Sequence, residues 1–223
     1  MSLDALIDDL DVDLPDLHPA REAGGSLLMM VGLPGVGKSS IVTALQRHLP
    51  CLLIATDDVR TRIRQSPRYT MSEVKQIYDV CYALIERRLQ RGQRVVFDGS
   101  NHLAERRDYL ARLAQRQGAP VAICVVQAAQ ETIQQRLRAR HQISAVAHDK
   151  SDADWAVYQW MVEQQEPVAG EHLILDTTET APDKLAQILY TYWLDIETQT
   201  TSDPDFQSPG WASKLNLIDG VGG

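Results

Sequence analysis

The residue types best suited to chemistry lie in one glycine-rich segment, residues 32–40, which reads GLPGVGKSS. Its glycines allow a tight turn that points backbone N–H groups at phosphate oxygens with no Cβ in the way. Lys38 is long enough to reach the β- and γ-phosphates, and the Ser39 hydroxyl is a suitable ligand for Mg²⁺. We therefore expect this segment to bind a nucleoside triphosphate. The residues assigned to that contact are Gly32, Pro34, Gly35, Val36, Gly37, Lys38, Ser39 and Ser40.

Two carboxylates and one arginine, Asp57, Asp58 and Arg60, follow the apolar segment 51–55. That segment is typical of a buried strand, and open α/β sheets bind ligands at the carboxyl ends of their strands. A carboxylate there can accept the proton of an attacking hydroxyl, and an arginine close by can hold a polar substrate group. We predict that Asp57 is the general base and that Asp58 and Arg60 bind substrate. An N-cap of the following helix is the alternative for either acid.

A third carboxylate, Asp98, ends the apolar segment 95–97. An aspartate in this position commonly lies near Mg²⁺ in proteins that transfer phosphoryl groups. We predict that Asp98 and Ser39 hold the metal and that Asp98 also lies on the substrate side of the site, with a plain turn residue or a helix cap as the alternative for Asp98. Asn101 is assigned to substrate binding, with a cap of the next helix as its alternative.

Three arginines, Arg136, Arg138 and Arg140, lie near the end of a predicted helix, and polar residues 142–151 follow them. Arg136 and Arg140 share one helix face because they are four residues apart. An arginine-bearing helix beside a flexible segment suits a lid that closes over the transferred phosphoryl group. We assign Arg136 and Arg140, together with Lys38, to catalysis. A solvated basic helix face is the alternative for each of the three arginines.

These residues must be positioned by an alternation of two kinds of segment. Apolar runs of four to six residues, typical of buried strands, lie at residues 26–31, 51–55, 94–97, 121–126 and 172–175. Segments with helical spacing lie near residues 38–48, 70–91, 102–117, 131–140, 152–164 and 182–194. The clearest of these begins with the capping box Thr70-x-x-Glu73. The alternation predicts an α/β fold with a mostly parallel sheet and helices on both faces.

Length and composition exclude several classes of protein. The chain has 223 residues, of which 44% are hydrophobic and 23% charged, and this excludes global disorder. No apolar run approaches the roughly 18 residues of a membrane span, and the acidic N-terminus is unlike a signal peptide. Cys51, Cys81 and Cys124 lie far apart in apolar segments, as expected for buried free thiols in a reducing cytosol. We expect a cytoplasmic protein with no membrane partner.

Charge is distributed unevenly along the chain. The net charge of −8 is the sum of −6 in residues 1–22, +9 in residues 23–148 and −11 in residues 149–223. A basic centre between acidic ends predicts that the chain handles an anion in its middle segment.

The order and spacing of these features resemble the small P-loop kinases of the polynucleotide kinase and zeta toxin-like group, which have an AAA-type P-loop NTPase domain. The resemblance covers roughly residues 26–195. It rests on the segments 32–40, 57–60, 98–101, 106–107, 136–140, 151–154 and 174–177.

The resemblance implies a three-layer P-loop kinase fold with a mostly parallel five-stranded sheet, helices on both faces and a helical lid. It also implies ATP, Mg²⁺ and phosphoryl transfer to a hydroxyl. The group's general base matches Asp57, and its substrate-side arginine matches Arg60. The kinase domain would span residues 24–196, between an acidic N-terminal extension at 1–23 and a partly disordered C-terminal tail at 197–223.

Three function hypotheses follow from these patterns. The leading one is an ATP-dependent kinase that acts on a small-molecule hydroxyl. The second is a 5′-hydroxyl polynucleotide kinase, because 15 of the 17 arginines lie between Arg60 and Arg140. The third is a nucleotide-binding regulatory module without transfer activity, whose acidic tails recruit a partner. The sequence assigns neither the acceptor nor the oligomeric state.

Overall fold

The computed structural model describes residues 2–20, 24–63, 70–144 and 155–202. The strands are β1 (Ser26–Val31), β2 (Leu52–Ala55), β3 (Arg94–Asp98), β4 (Val121–Gln127) and β5 (Leu173–Asp176). The helices are α1 (Leu3–Asp13), α2 (Lys38–Gln46), α3 (Thr56–Ile63), α4 (Met71–Gln90), α5 (Ala104–Arg116), α6 (Gln130–Ser144), α7 (Trp155–Gln164) and α8 (Pro182–Ser202). No helix in the described part of the chain combines the length and apolar character needed to cross a membrane.

The five strands form one parallel sheet in the order β2-β3-β1-β4-β5. Because all five strands run in the same direction, their carboxyl ends lie at the same edge of the sheet. β1 is the central strand, and all six of its residues are buried, as expected for a strand covered on both faces. The predicted α/β fold with a five-stranded parallel sheet is confirmed.

Two hydrophobic cores cover the two faces of the sheet. Successive residues of β1 point to opposite faces, so Met29 lies in one core and Met30 in the other. The first core includes residues of α1, α3, α4 and α5, and the second includes residues of α2, α6 and α8. Cys51, Cys81 and Cys124 are buried and free, and burial raises the pKa of each thiol. The interpretation of the cysteines as buried thiols is therefore confirmed.

The N-terminal residues contain a helix that the sequence analysis did not predict. Ser2 caps α1, because its side chain accepts a hydrogen bond from the backbone N–H of Ala5. Leu6, Ile7 and Leu10 on α1 are buried in the first core. The predicted N-terminal extension, residues 1–23, therefore contains a helix that helps to cover one face of the sheet.

Acidic residues of α1 form ion pairs with arginines from the basic centre of the sequence. Arg88 on α4 is 1% exposed, and its Nε donates to Asp11 Oδ1 at 2.7 Å. Arg91 donates to the other oxygen of Asp11 at 2.9 Å, and Arg87 pairs with Asp8 at 2.7 Å. Part of the basic charge of the middle segment therefore holds helices together and is not available to an anion site.

α8 continues beyond residue 196, where the sequence analysis ended the domain. Glu197 lies within α8, and both of its carboxylate oxygens accept hydrogen bonds from Arg94 on β3, at 2.8 and 2.7 Å. Trp193, one turn earlier, is fully buried. The first residues of the predicted tail thus belong to a packed helix, and residues 203–223 lie outside the described part of the chain.

Candidate active site

The glycine-rich loop, residues 32–37, connects the end of β1 to the start of α2 at the carboxyl edge of the sheet. Gly35 and Gly37 have φ angles of +83° and +95°, in the left-handed region that residues with a Cβ rarely adopt. A Cβ on Gly35 would also lie 3.0 Å from Ile133 Cγ2 on α6. Gly37 is the N-cap of α2, whose unpaired N–H groups and helix dipole favour an anion at this loop.

Lys38 begins α2 and reaches back across the loop. Its Nζ donates hydrogen bonds to the carbonyl oxygens of Gly32, at 2.9 Å, and Leu33, at 3.4 Å. Both acceptors belong to the loop itself, so the ammonium group is held at the mouth of the backbone cradle. A lysine, a glycine-rich turn and a helix N-terminus in this arrangement fit the phosphates of ATP.

Most of the predicted phosphate-binding residues line one cavity of about 560 Å³. Those that do are Pro34, Gly35, Gly37, Lys38, Ser39 and Ser40. The structure places the other two beneath the loop surface. The N–H of Gly32 donates to Ser100 O at 3.0 Å, and Val36 is 4% exposed, with its carbonyl accepting a hydrogen bond from Thr177.

Ser39 and Asp98 come together at the bottom of the loop, where Ser39 Oγ donates to Asp98 Oδ2 at 2.7 Å. Burial raises the pKa of Asp98, while Lys38 and the Ser39 hydrogen bond act in the opposite direction. Mg²⁺ prefers oxygen ligands and binds through one or two protein groups besides phosphate and water. A hydroxyl and a carboxylate in contact beside a phosphate cradle fit that ion, with Ser39 and Asp98 as the residues that would hold it.

Asp57 and Asp58 lie in the first turn of α3, a helix that begins directly after β2 and that the sequence analysis did not delimit. The helix dipole favours carboxylates at this position, so both the capping and the site interpretation suit the geometry. Asp57 Oδ1 accepts a hydrogen bond from Arg60 Nη1 at 2.5 Å. Asp57, Asp58 and Arg60 all line the same cavity as the phosphate loop, so the structure brings these predicted residues together.

The lid arginines separate into three environments. Arg136 donates from Nη1 to Thr177 Oγ1 and from Nη2 to Thr177 O, both at 2.8 Å, and its Nη1 also lies 3.4 Å from the carbonyl oxygens of Gly35 and Val36. Arg136 therefore ties the phosphate loop to the end of β5. Arg140, one turn later on α6, lines the cavity, whereas Arg138 is exposed.

Asn101 does not line the cavity, which corrects its assignment to substrate binding. Its side chain is fully buried, and its Nδ2 donates to Met30 O at 2.7 Å. It does not cap the next helix either, because the N-cap position of α5 is Leu103. With a φ of +47°, Asn101 lets the chain turn between β3 and α5, a conformation that asparagine tolerates better than most residues.

Two further cavity residues, His102 and Arg106, were not assigned from the sequence. His102 Nδ1 lies 2.9 Å from Ser100 Oγ, and burial, with Arg106 and Arg107 nearby, lowers the pKa of His102 to about 4. The Arg106 guanidinium lies 4.0 Å from the centroid of the Tyr78 ring. Arg106 was part of the segment 106–107 that contributed to the family resemblance, and the signal for His102 was its position just after the strand that ends in Asp98.

The segment predicted to form the lid contains the helices α6 and α7. Residues 145–154 between them lie outside the described part of the chain. The segment that follows α7 is tied to the loop between β3 and α5 through Glu166. The N–H of Glu166 donates to His102 O at 2.9 Å, and its Oε2 accepts from the N–H of Ala104 at 2.5 Å. Arg107 also donates to the carbonyl oxygens of Glu166 and Pro167. The C-terminal end of α7 is therefore fixed beside the cavity.

Several solved structures share this fold at low sequence identity. The APS kinase CysC of Mycobacterium tuberculosis, in complex with AMPPNP and APS, has a TM-score of 0.58 and 16% identity over 76% of this chain and 98% of that one. Kti12 of Chaetomium thermophilum, in complex with ADP-AlF3, has a TM-score of 0.59 and 18% identity over 75% and 99%. A sugar kinase from Janibacter sp. has a TM-score of 0.57 and 15% identity over 79% and 98%.

No curated protein sequence matches this chain. The family profile of the AAA domain, by contrast, matches residues 27–168. That match includes the glycine-rich loop, both strand-end carboxylates Asp57 and Asp98, and the arginines of α6. Because the profile spans more than half of the sequence, the chain belongs to the AAA domain family, with the fold of P-loop kinases.

Proposed function

We propose that this protein is an ATP-dependent kinase that transfers a phosphoryl group to a hydroxyl of a small molecule. The observation that carries the proposal is the shared cavity, which joins the glycine-rich loop and Lys38 to Asp57 in the first turn of α3. A donor phosphate and an acceptor hydroxyl bound in one cavity gain the rate advantage of proximity and orientation. Kinases among the structures of the same fold support this proposal.

The loop and its lysine hold the phosphates. The N–H groups of the loop and of the α2 N-terminus bind the phosphate oxygens, and Lys38 exchanges its two loop carbonyls for the β- and γ-phosphates. Ser39 and Asp98 would hold Mg²⁺, which when bound neutralises phosphate charge and orients the leaving group. Arg136 links the loop to Thr177 through hydrogen bonds, so its role is to position the loop.

Asp57 receives the proton of the acceptor. In the transfer step the acceptor oxygen forms a bond to the γ-phosphorus, and the bond from that phosphorus to the bridging oxygen of ADP breaks. The hydroxyl proton passes to Asp57 as the new bond forms. Arg60 orients the Asp57 carboxylate through its hydrogen bond, and Arg140 neutralises charge on the transferred group from the α6 side of the cavity.

The polynucleotide kinase alternative has less support than a kinase that acts on small molecules. The arginine-rich centre favoured a polynucleotide kinase, but Arg87, Arg88 and Arg91 pair with acids of α1, and Arg94 pairs with Glu197. These four charges are paired within the fold, so they add less to a surface that could track a phosphate backbone than the sequence alone indicated. A regulatory module predicts nucleotide binding with no transfer to any acceptor.

The Asp57→Asn variant tests the proposal. We expect it to retain ATP binding, because Asp57 lies outside the phosphate loop, and to lose transfer by about 10²–10⁴-fold. The measurement is ATP consumption with pooled metabolites, sugars, antibiotics and oligonucleotides as acceptors, alongside calorimetric titration of the nucleotide. Asp79→Asn, a partly exposed acid on α4 paired with Lys75, serves as the matched control.

A wild-type chain that binds ATP but consumes none with any acceptor supports the regulatory alternative instead. Equal turnover in wild type and Asp57→Asn excludes Asp57 as the base. Consumption with oligonucleotides alone supports the polynucleotide alternative. Lys38→Ala provides the blank for each comparison.

A further inference from the structure

The part of the cavity that faces α4, α5 and α7 is mainly apolar. Its apolar lining residues are Met71, Val74, Tyr78, Leu103, Trp160 and Met161. Met71 is 81% exposed and Trp160 is 52% exposed. Large apolar groups at the rim of a cavity stay in water unless a ligand covers them, so these residues favour a bound molecule with an apolar skeleton.

One cation in the same wall has no acid partner. The Arg106 guanidinium lies over the Tyr78 ring, and no carboxylate among the described residues is within ion-pair distance of it. Arg60 differs, since it pairs with Asp57, and Arg107 differs because backbone carbonyls accept its hydrogen bonds. An arginine keeps its charge at all working pH values and presents several donors to an oxyanion.

The polar neighbour of Arg106 adds no second positive charge. His102 is 3% exposed, and burial lowers its pKa, so the imidazole is neutral at pH 7. Its Nδ1 is engaged with Ser100 Oγ. The wall therefore offers one permanent cation surrounded by apolar side chains, which is a pattern for a single anionic group and not for a polyhydroxylated molecule.

We propose that the acceptor is an alcohol that carries an apolar, aromatic-sized skeleton and one anionic group, with the anion bound by Arg106. This inference rests on the proposed kinase function, because it names the acceptor class of the same cavity. The skeleton packs against Val74, Leu103 and Trp160, and the hydroxyl lies at Asp57. Charge-assisted hydrogen bonds from Arg106 then distinguish such a molecule from its neutral analogue by about ten- to a hundredfold in affinity.

The test uses matched pairs of probes that differ only in charge. The meta and para isomers of hydroxymethylbenzoate are compared with the corresponding hydroxymethylbenzamides, by calorimetric titration of the full chain with AMPPNP present. We expect each acid to bind about ten- to a hundredfold more tightly than its amide. Arg106→Met should remove this preference, whereas Arg112→Met, an exposed position on the same helix, should retain it.

Equal affinity for acid and amide in both pairs overturns the inference, and so does the absence of binding by either acid. This comparison needs only the wild-type chain, so it stands even if Arg106→Met fails to fold. Transfer to a neutral polyol, unchanged in Arg106→Met, would leave the kinase function standing and reject the anionic acceptor. Tight, Arg106-dependent binding of the acids without transfer to any alcohol would instead reject the kinase function alone.

Discussion

Ser39 and Asp98 are 59 residues apart in the sequence, yet Ser39 Oγ donates a hydrogen bond to Asp98 Oδ2 at 2.7 Å. The register of the sheet produces this contact. β1 and β3 are neighbours, with Met30 opposite Asp98, so the loop that follows β1 begins beside the last residue of β3. The pairing of two strands thus assembles the two oxygen ligands of the expected Mg²⁺ site.

Replacing Asp98 by asparagine should separate stability from activity. Burial raises the pKa of Asp98 above its usual 3.8, so the ionised carboxylate lowers the stability of the folded chain at neutral pH. Asp98→Asn should therefore unfold at a higher denaturant concentration at pH 7, and this gain should vanish below the usual carboxyl pKa. Transfer activity should fall by about a hundredfold or more if Asp98 is the metal ligand that we propose. A less stable variant with normal activity would contradict both assignments.

Arg136 and Thr177 should contribute to ATP affinity as one unit. Either Arg136→Met or Thr177→Val breaks the link between β5 and the phosphate loop, and each should weaken ATP binding about tenfold. The double variant should lose less than the sum of the two effects, since both changes remove the same hydrogen bond. Isothermal titration with AMPPNP measures the cycle, with Arg138→Met on the exposed face of α6 as the control. Strict additivity would show that the two residues act independently.

His102 should make the chain sensitive to mild acid. Its pKa is lowered to about 4 in the fold, against 6.5 for the free side chain, so the unfolded chain takes up the proton first as the pH falls. The contribution of the neutral His102 to the free energy of unfolding is fully present above pH 6.5. It is lost as the pH falls from 6.5 to about 4. Between pH 7 and pH 5 the free energy of unfolding of His102→Gln should therefore fall by roughly 1–2 kcal/mol less than that of wild type. Denaturant unfolding at the two pH values measures this difference. The exposed His48→Gln variant should behave like wild type.

The Asp11–Arg88 pair should dominate the attachment of α1. Asp11→Ala removes the buried carboxylate that Arg88 Nε contacts and leaves only the exposed Asp16 at 3.8 Å, which should cost about 3–5 kcal/mol of unfolding free energy. The exposed Asp13→Ala variant, which removes a partner of Arg62, should cost less than about 1 kcal/mol. Urea unfolding followed by circular dichroism compares the two. Similar losses in both variants would mean that the buried pair has no special role.

Much of the fold was predictable because its signals are local. The apolar run 26–31 coincides with β1, and Thr70 caps α4 by accepting a hydrogen bond from the Glu73 N–H, as the capping box indicated. The phosphate loop is equally local, since its glycines are needed by the backbone of the loop itself. Motifs of this kind depend on residues that are close in sequence, so the sequence alone is enough to predict them.

The missed features depend on neighbours in space. The aspartates of α1 obscured its helical pattern in the sequence, although Leu6, Ile7 and Leu10 lie on one helix face after the N-cap Ser2. Asn101 was misassigned because its partner, the carbonyl of Met30, belongs to a strand 71 residues away. Arg106 contributed to the family resemblance but received no role, because its surroundings are set by the Tyr78 ring beneath it and by the lack of an acid beside it among the described residues.

The contact between α1 and α4 has a consequence for how the chain assembles during synthesis. Asp11 leaves the ribosome 77 residues before its partner Arg88, so the buried ion pair between α1 and α4 cannot form until α4 has emerged. Closing so long a segment carries an entropic cost that only the completed contact offsets. The order of translation and the order of docking are therefore reversed for this helix: α1 is made before α4 but can take its native place only after it.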